Sequence, residues 1–535
     1  MSWYYSSDFD SDFEDESESD SSEVTPLLAR QRSRRMSNKR MPSLRMVIVA
    51  LITSLGGSFH FGFQLTLTNS SQGAFVSFMN KTLATHFDGG LSGSTLKNIW
   101  SFVVAILFLG ALAGSFLISL TGDFVGRKRG LYISIGLGMA SGGLSIVSYF
   151  IPSFICYVIS RITMGISVSL SLGLSALFLS EASPKECRGS IGMITGVCVQ
   201  FGTVIGSVLA MPQLFGTYNQ WYLIYICEVA MMVVFYVMLP FLPESPGYLI
   251  QRGAFETAKK AVMFFHKCTE ERADEILNEI KEEQKKAKKQ YGMLDILKKG
   301  SLRKKAMIGM IVTFAMSFSG IAVINAYAFD ILMDTGLSSL GASLGNIGIA
   351  LVSVFAIVIA STVVDKFGRR PLLLFAFVGC LFCNFVIFGL MFTFDKYGYS
   401  ALGFCLIFVI CIFIVFFAIG PGPLCYFINA ELVGLSARSA AQSWASVVQM
   451  LSRFILVASY TPLKNQIHSF AYLILFVAPV AASIVYLYFY LPETKNKNAA
   501  EVEEAMTRLP TIFSLTHKSK TAPALEKKEE IFTHI

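Results

Sequence analysis

The sequence Ala418-Ile-Gly-Pro-Gly-Pro-Leu-Cys-Tyr-Phe-Ile-Asn-Ala-Glu-Leu-Val-Gly-Leu-Ser-Ala-Arg438 closes a run of apolar residues long enough to cross a bilayer. Near its start, Gly420, Pro421, Gly422 and Pro423 remove backbone donors and loosen a helix at mid-membrane depth. Irregular backbone is tolerated there when it is buried in protein or lines a water-filled cavity. We therefore predict that these four residues form a hinge beside a passage. A proline kink in a purely structural span is the alternative.

The whole chain has the composition of an all-α, polytopic membrane protein. Of its 535 residues, 53% are hydrophobic and only 15% are charged, which excludes an ordinary soluble protein. Runs of about 20 apolar residues predict twelve transmembrane helices. Their predicted starts lie near residues 46, 99, 131, 154, 189, 220, 306, 341, 371, 401, 439 and 467. A long polar segment precedes the first run, so this run is a spanning helix and not a cleaved signal peptide.

The net charge of +8 is explained by membrane topology, and it predicts no nucleic-acid partner. With the N-terminus in the cytoplasm, 38 of the 44 Lys and Arg residues fall in cytoplasmic segments and four lie outside. The remaining two, Arg161 and Arg453, lie within spans. This bias predicts that both termini are cytoplasmic. None of the ten cysteines falls in an outward loop, so no disulfide framework is expected.

Three pairs of short motifs recur in the same order in the two halves of the chain. The pairs are Asp123–Lys128 with Asp365–Arg370, Glu181 and Arg188 with Glu431 and Arg438, and Pro243-Glu244-Ser245 with Pro492-Glu493-Thr494. We infer a duplicated six-helix unit. The predicted divisions are a disordered tail 1–45, a bundle 46–242, a linker 243–305 with short amphipathic helices, a bundle 306–491 and a tail 492–535.

Two features outside the spans predict partners or modification. Glu23-Val-Thr-Pro-Leu27-Leu28 resembles the acidic di-leucine signals that trafficking adaptors bind, although a six-residue match also arises by chance. Asn80-Lys-Thr is a glycosylation sequon in the first outward loop, and such sequons also match by chance. No metal-binding or cofactor-binding motif is found, so we expect neither a metal nor a cofactor.

The motifs taken together resemble the sugar porters of the major facilitator superfamily, and specifically the facilitative hexose transporters. The matching elements span residues 46 to 497. They are Asp123–Lys128, Arg161–Gly165, Glu181–Pro184 with Arg188-Gly189, Pro243–Pro246, Ser319–Ile321, Asp365–Arg370, Gly420–Pro423 with Glu431 and Arg438, and Pro492–Lys495. The resemblance implies two pseudo-symmetric six-helix bundles that rock between inward-open and outward-open states around a central site. It implies a transporter and not an enzyme.

The resemblance also implies a cytoplasmic gate of acidic and basic residues, whose ion pairs form when the gate closes and separate when it opens. The gate residues are Asp123, Arg127, Glu181, Arg188, Glu244, Asp365, Arg369, Glu431, Arg438 and Glu493. Exposed ion pairs contribute only about 0–1 kcal/mol each, which suits contacts that break in every cycle. The alternative is that these charges only fix the topology.

The resemblance places the substrate-binding side chains in a central cavity, where this chain departs from the family. Amides of hexose transporters are replaced at Gly196, Met316 and Ala322, and Gln200 and Asn325 lie one turn away and can substitute for them. The residues expected to line the cavity are His60, Gln64, Gln200, Ser317, Asn325, Ser353, Tyr426, Gln449 and Arg453. A sugar needs several such partners because each hydroxyl left without a hydrogen bond costs about 1–3 kcal/mol.

The expected function is facilitative transport, or uniport, of a hexose or a similar small polyol. Proton-coupled sugar porters carry an aspartate where this chain has Gln64, and glutamine does not exchange protons; His60 and Glu228 keep proton symport open. Arg453 favours a second alternative, a carrier of an organic anion such as urate or ascorbate. A non-transporting sugar sensor is the third. We expect the plasma membrane as the location, with an endosomal or lysosomal membrane as the alternative.

Overall fold

The computed structural model describes residues 43–83, 92–184, 187–286, 291–363, 367–399, 401–433, 437–495 and 499–508. Within these ranges all regular structure is helical and no strand is present. Eleven helices in the described ranges are long and apolar enough to cross a membrane. The all-α prediction is confirmed.

The first half of the chain forms one bundle. Its helices are α1 (Leu44–Gly56), α2 (Ser58–Ser70), α3 (Gln72–Leu83), α4 (Gly93–Phe124), α5 (Arg127–Phe150), α6 (Phe154–Ala182), α7 (Arg188–Leu209) and α8 (Trp221–Met238). Serine side chains cap several N-termini, and Ser92 and Ser153 accept backbone N–H groups at the starts of α4 and α6. Together α1 and α2 make the first crossing.

The linker between the halves contains four short helices. They are α9 (Pro246–Gln251), α10 (Phe255–His266), α11 (Glu270–Lys286) and α12 (Met293–Lys298). Ile250, Val262 and Leu277 from three of these helices are buried against one another in a small apolar core. The linker lies at one end of the bundle, which we call the linker side; we call the opposite end the outer side.

The second half repeats the arrangement of the first. Its helices are α13 (Gly300–Phe318), α14 (Ile321–Asp334), α15 (Ser339–Val363), α16 (Arg369–Tyr397), α17 (Ala401–Ile419), α18 (Pro421–Val433), α19 (Arg438–Ile467), α20 (Phe470–Tyr472) and α21 (Ala478–Tyr490), with a π-helical turn over Leu473–Val477. A last helix, α22 (Ala499–Arg508), packs against α18.

The predicted starts agree closely with the observed helices. The largest differences are six residues, at α4, which was expected near 99 and begins at Gly93, and at α13, which was expected near 306 and begins at Gly300.

The predicted helix near 439 is α19, whose 30 residues give a length of about 45 Å. It is less apolar than the other spans because one face carries Gln442, Ser446, Gln449 and Arg453. It packs between α4 and α13.

The two halves pack against each other along three pairs of helices. These pairs are α4 with α19, α7 with α15, and α2 with α14. Glycines allow the closest approaches inside the first half. A methyl group at Gly62 of α2 would collide with the Val199 carbonyl oxygen of α7, and one at Gly202 of α7 would collide with the Phe59 carbonyl oxygen of α2. This packing places α2 and α14 side by side at the centre of the molecule.

Candidate functional site

Two crossings are interrupted in mid-membrane, at equivalent places in the two halves. Gly57 separates α1 from α2, and Ser319-Gly320 separates α13 from α14. Gly320 has φ +105°, a conformation that glycine adopts without strain. Neighbouring helices bond the freed backbone: Asn384 Nδ2 donates to the Ser319 carbonyl at 2.7 Å, and Ser171 Oγ donates to the Gly57 carbonyl at 3.4 Å. Discontinuous helices of this kind form binding sites in membrane carriers.

The predicted hinge at Gly420–Pro423 is a smaller break than expected. Only Gly420 is non-helical, and the Leu424 N–H already donates to its carbonyl at 3.1 Å. Pro421 takes the first position of α18 and Pro423 the third, where the missing N–H groups need no partner within the helix. A side chain at Gly420 would collide with Ala376 of α16. Close helix packing therefore accounts for this glycine, and a hinge role for the four residues stays a prediction.

His60 and Gln64 lie on one face of α2, as the sequence predicts, and this face meets charged groups from two other helices. The Gln64 amide bridges them: Arg161 Nη1 donates to Gln64 Oε1 at 2.6 Å, and Gln64 Nε2 donates to Glu228 Oε2 at 2.7 Å. His60 Nδ1 lies 3.7 Å from Glu228 Oε1. All four side chains are buried. We call His60, Gln64, Arg161 and Glu228 the N-half cluster.

Sequence reasoning did not place Glu228 beside Gln64. The two residues are 164 positions apart on different helices, and only the packing of α8 and α2 against the other helices of the bundle joins them. The available signal was an ionisable residue inside an apolar span, which marks a functional position. Behind the cluster, the hydroxyls of Tyr157 and Tyr225 are hydrogen-bonded to each other at 2.9 Å.

A second group that sequence reasoning missed joins the two halves on the outer side. Asn69 of α2 donates from Nδ2 to the Asn325 carbonyl at 3.0 Å and to Asn346 Oδ1 at 3.2 Å. The Phe329 N–H donates to Asn69 Oδ1 at 3.0 Å, and Asn346 Nδ2 donates to Ser70 Oγ at 3.3 Å. We call this network the outer clasp. It uses the backbone of the predicted site residue Asn325.

Arg453 lies at the contact between the halves in mid-membrane. It is 5% exposed, and its guanidinium carbon lies 5.4 Å from the ring centre of Phe61 and 5.9 Å from that of Phe108, both in the first half. Such cation–π contacts compensate part of the cost of burying the charge. Gln449, one turn earlier, is buried. It lines a narrow cleft together with Thr313 of α13 and with residues of α18 and α19.

The remaining predicted cavity residues are not brought into one group. The Ser317 hydroxyl donates to the Thr313 carbonyl, and the Ser353 hydroxyl donates to the Ile349 carbonyl, so both bond within their own helices. Gln200 is half-buried on α7. Tyr426 lies on α18, but its side chain falls outside the described part of the structure. The assignments of these four residues stay predictions.

On the linker side, the first half contains a compact ion pair between α5 and α6. Arg127 donates from Nε at 3.2 Å and from Nη2 at 2.9 Å to Glu181 Oε1. The Ser245 hydroxyl donates to the other oxygen of Glu181. Asp123 lies 3.7 Å from Arg127, one turn earlier in the chain. The pair joins α5, α6 and the start of the linker.

The carboxylate of Glu244 caps the N-terminus of α5. It accepts the Lys128 N–H at 2.9 Å, where the helix dipole favours a negative charge. A methyl group at Gly126 would lie 2.8 Å from Glu244 Oε2, so glycine permits this approach. Gly126 also has φ +107°, which adds a second reason for glycine.

The second half repeats both contacts. Glu493 accepts the Arg369 N–H at 2.8 Å at the start of α16, and a methyl group at Gly368 would lie 2.5 Å from Glu493 Oε2. Arg369 Nε lies 3.8 Å from Glu431 Oε1, and the Thr494 hydroxyl donates to Glu431. Burial raises the pKa of Glu431, which lies past the apolar span Ala401–Cys425, and the Thr494 hydroxyl and the Arg369 guanidinium lower it in part.

Seven of the ten predicted gate residues therefore lie in two separate clusters, and their role as a gate stays a prediction. Among the described residues, the ion pairs of these two clusters join elements of the same half. The expectation that gate pairs separate when the gate opens stays a prediction. Arg438 is exposed at the start of α19, Arg188 begins α7 with a side chain outside the described part, and Asp365 lies outside the described residues. Their gate roles stay predictions.

Other predicted features lie away from these groups. Asn80 is exposed near the outer end of α3, where glycosylation stays a prediction. The Glu23–Leu28 motif lies outside the described residues. Within the described ranges, no three His, Cys, Asp or Glu side chains are grouped so that they could hold a metal ion.

The described residues thus form two six-helix halves whose first and seventh crossings are interrupted. A family model described as "Sugar (and other) transporter" matches residues 49–506. The chain belongs to this sugar transporter family. Its relatives are transporters and not enzymes, and the chain is a multi-pass membrane protein.

Curated relatives of this sugar transporter cover most of its length. It is 27% identical over 474 residues to the mouse (Mus musculus) solute carrier family 2, facilitated glucose transporter member 9. This match covers 87% of this chain and 86% of the relative. It is 28% identical over 486 residues to the human (Homo sapiens) member 7, and this match covers 90% of this chain and 93% of the relative. It is 27% identical over 466 residues to the sheep (Ovis aries) member 3, and this match covers 86% of this chain and 92% of the relative.

Solved structures show the same fold. The partially occluded inward-open conformation of the xylose transporter XylE from E. coli superposes on this sugar transporter with a TM-score of 0.68. The match covers 85% of this chain and all of that chain at 23% identity. The fold of the major facilitator superfamily, which the resemblance implied, is confirmed.

Proposed function

We propose that the chain carries a hexose or a similar small polyol across the plasma membrane by alternating access, without ATP or a metal. The names of its relatives, facilitated glucose transporters, support a hexose as the substrate. Alternating access requires two halves whose contacts differ between the two ends of the molecule.

The observation that carries this proposal is the uneven distribution of hydrogen bonds between the halves. On the outer side the described residues provide the outer clasp and two further bonds, Gln213 with Ser343 and Asn98 with Asn465. On the linker side the described residues provide one bond between the helices of the two halves, Ser119 with Ser443 at 3.2 Å. Among the described residues, the hydrogen bonds between the helices of the two halves therefore lie mainly at the outer end.

The orientation follows from the charges. The linker side carries most of the Lys and Arg residues, and this bias supports a cytoplasmic position for the linker side and for both termini. In this orientation the outer clasp joins the halves at the end that faces away from the cytoplasm. Opening to the outside must break the outer clasp, whose bonds are each worth about 0.5–1.5 kcal/mol.

Uptake into vesicles tests the substrate. The purified full chain is reconstituted, and uptake of labelled D-glucose, D-fructose and urate is measured at equal pH on both sides. We expect saturable exchange of at least one hexose. Empty vesicles and vesicles with heat-denatured protein are the controls. Exchange of no solute by correctly inserted protein would contradict the proposal and favour a non-transporting sensor.

The outer clasp supplies a conformational test. Asn69→Ala removes three of its hydrogen bonds, so we expect a shift toward the outward-open state. Single cysteines introduced between the halves near the outer end should then react faster with a membrane-impermeant thiol reagent. Asn465→Ala is the matched control, because it removes an exposed bond between the halves on the same side. Equal labelling of both variants and the wild type would contradict the role of the clasp.

A second candidate function rests on Arg453. A guanidinium buried between the halves can form charge-assisted bonds with an anionic substrate, so a carrier of an organic anion is the alternative. Uptake of urate that exceeds uptake of hexose, and that Arg453→Gln abolishes, would favour it. Uptake of hexose that survives Arg453→Gln while urate is not transported would exclude it.

Uniport is the prediction made from Gln64 alone. Uniport and proton-driven transport differ only in whether the protein binds a proton during its transport cycle. The proposal also includes a trafficking adaptor that would bind Glu23-Leu27-Leu28. It includes a location in the plasma membrane instead of an endosomal or lysosomal membrane. Replacing Leu27 and Leu28 with alanine and following the protein at the cell surface tests both.

A further inference from the structure

The outer end of the second half contains a cavity of about 190 Å³. It lies where the ends of α14, α16 and α19 meet the turn into α20, and every described residue that lines it belongs to the second half. These lining residues do not include any of the described residues that were expected to bind substrate in the central cavity. A space of this size holds about six water molecules, which is room for one small organic molecule.

The floor of this cavity is apolar. Ile331 of α14 and Met391 of α16 are buried there, and Phe394, one turn after Met391, is half-buried in the wall. The ring of a monosaccharide has a face made of C–H groups, which packs on apolar and aromatic side chains. Small-molecule sites combine such a lining with a few polar groups that fix the orientation of the ligand. The floor therefore fits one face of a sugar ring.

The rim of the cavity carries both hydrogen-bond donors and hydrogen-bond acceptors. Asp334 and Lys464 form an ion pair, and the Ser469 hydroxyl donates to Asp395 Oδ2. The amide of Asn465, which is exposed, adds a further donor and acceptor. A carboxylate accepts up to about four hydrogen bonds. One bond within the protein therefore leaves each aspartate able to accept from the neighbouring hydroxyls of a sugar.

His468 forms one edge of the cavity in a backbone conformation that only glycine adopts readily. It has φ 50° and ψ −134°, and its N–H donates to the Lys464 carbonyl at 2.9 Å where α19 ends. Among the described residues other than glycine, a positive φ is found only at His468 and Lys267. Such a conformation persists where the surrounding contacts hold it, and residues of this kind cluster at ligand sites. The turn at His468 brings Ser469 to Asp395.

The charges of the rim favour a neutral ligand. Lys464 offsets Asp334, and the remaining carboxylate, Asp395, repels an anion. A sugar hydroxyl both donates and accepts hydrogen bonds, so a monosaccharide uses the carboxylates and the Asn465 amide together. A small ammonium ion uses the acceptors alone. The mixed rim therefore favours a monosaccharide over an ammonium ion.

We propose that this cavity is a second binding site for a monosaccharide, separate from the central cavity and open to the outer solution. The floor packs on one face of the sugar ring, and Asp334 and Asp395 accept hydrogen bonds from its hydroxyls. Asn465 also bonds to Asn98 of the first half at 3.0 Å, so the bound sugar lies next to a contact between the halves. The inference rests on the proposed function for the class of ligand, and it adds a site to the central one.

A fluorescence titration of the purified full chain in lipid nanodiscs tests the site. Phe394→Trp places an indole ring against the bound sugar, and D-glucose is the ligand. The wild type, with its four native Trp residues, gives the background. We expect a saturable change of fluorescence. Adding Asp395→Asn to this reporter should raise the half-saturating concentration about tenfold, because a charged acceptor is lost.

Two controls separate this site from the rest of the molecule. Phe392→Trp is the matched reporter, because Phe392 is exposed on the same helix and does not line the cavity, so its fluorescence should not change with sugar. Gln449→Ala, added to Phe394→Trp, alters the central cavity and should leave the titration unchanged.

Saturation-transfer NMR gives a second measurement that needs no reporter. Signals of D-glucose are recorded with Gln449→Ala, and they should be lost when Asp395→Asn is added. His468→Gly should weaken them as well, because it removes a lining side chain. Since glycine relieves the backbone at this position, His468→Gly should not lower the thermal unfolding midpoint.

Exchange of D-glucose by the wild type in vesicles is measured in parallel. Exchange with neither a saturable fluorescence change nor an NMR signal that depends on Asp395 would overturn the site and leave the proposed function intact. Both signals without exchange would support the site and contradict the proposed function. A titration that shifts with Gln449→Ala and not with Asp395→Asn would overturn the site, as would a response to methylammonium in the absence of one to D-glucose.

Discussion

The two halves of the molecule share one arrangement on the linker side and differ in mid-membrane. In both halves a glycine lets a carboxylate reach the start of a helix, Gly126 with Glu244 and Gly368 with Glu493. In both halves an arginine then pairs with a glutamate at the end of another helix. The helices that carry these motifs therefore meet in the same way twice.

The mid-membrane regions of the halves are chemically different. The first half contains the N-half cluster, with a buried cation and a buried carboxylate. In the second half, Asn384 joins the Ser319 carbonyl to the Tyr472 hydroxyl, and all three groups are neutral. The contacts that hold each half together are therefore the same in both halves. Only the first of these two regions contains a buried acid–base pair, His60 with Glu228, beside its interrupted crossing.

The largest expected effect distinguishes the two mid-membrane regions. Arg161→Met leaves the Glu228 carboxylate buried without its cation, so it should lower the free energy of unfolding by about 3–5 kcal/mol. Asn384→Leu removes neutral hydrogen bonds and should cost about 1–3 kcal/mol. Thermal unfolding of the two purified variants measures the difference. Equal losses would mean that the two regions contribute to stability in the same way.

A smaller difference is expected between the two glycines of the linker side. Gly126→Ala and Gly368→Ala both push a carboxylate away from a helix start, but Gly126 has φ +107° and Gly368 has φ −66°. This positive φ, combined with an extended ψ of 162°, is a conformation that essentially only glycine adopts, so it should cost alanine about 1–3 kcal/mol more at position 126. We therefore expect the lower unfolding midpoint for Gly126→Ala. The control is Gly253→Ala in the linker, which has φ +73° but no carboxylate within contact distance among the described residues.

The smallest expected effect concerns the two arginines. Arg127 is 4% exposed and 2.9 Å from its glutamate, whereas Arg369 is 17% exposed and 3.8 Å from its own. Arg127→Gln should slow exchange of D-glucose more than Arg369→Gln does, by a factor of about five, which corresponds to about 1 kcal/mol.

Arg272→Gln, on the exposed surface of α11, is the control for this comparison and should exchange as the wild type does. Half-saturating concentrations should stay unchanged in all three variants. An altered substrate preference in Arg127→Gln would contradict a role confined to the linker side.

The sequence was most informative about local features. Apolar runs predicted the starts of the spans to within six residues, because crossing the hydrocarbon core requires a minimum length of apolar helix. Helical spacing placed His60 and Gln64 on one face correctly. The repeated motifs predicted the duplicated fold because each repeat encodes the same contact between a glycine, a carboxylate and an arginine.

It was least informative about groups assembled from distant segments. The outer clasp joins Asn69 to residues 256 and 277 positions later, and no local pattern marks such a meeting. The breaks at Gly57 and Gly320 were missed because their freed carbonyls are satisfied by Ser171 and Asn384 on other helices. The proline-rich segment that predicted the largest break is almost continuous, because its prolines occupy helix positions that need no donor.

The sequence by itself determined that this is a duplicated helical membrane protein, since hydrophobic length acts segment by segment. Only the tertiary structure decided which polar groups meet. Glu228 becomes the partner of Gln64 and His60 only when α8 and α2 pack against the other helices of the bundle. Buried polar atoms must find partners wherever helix packing brings them, and that packing depends on the whole chain.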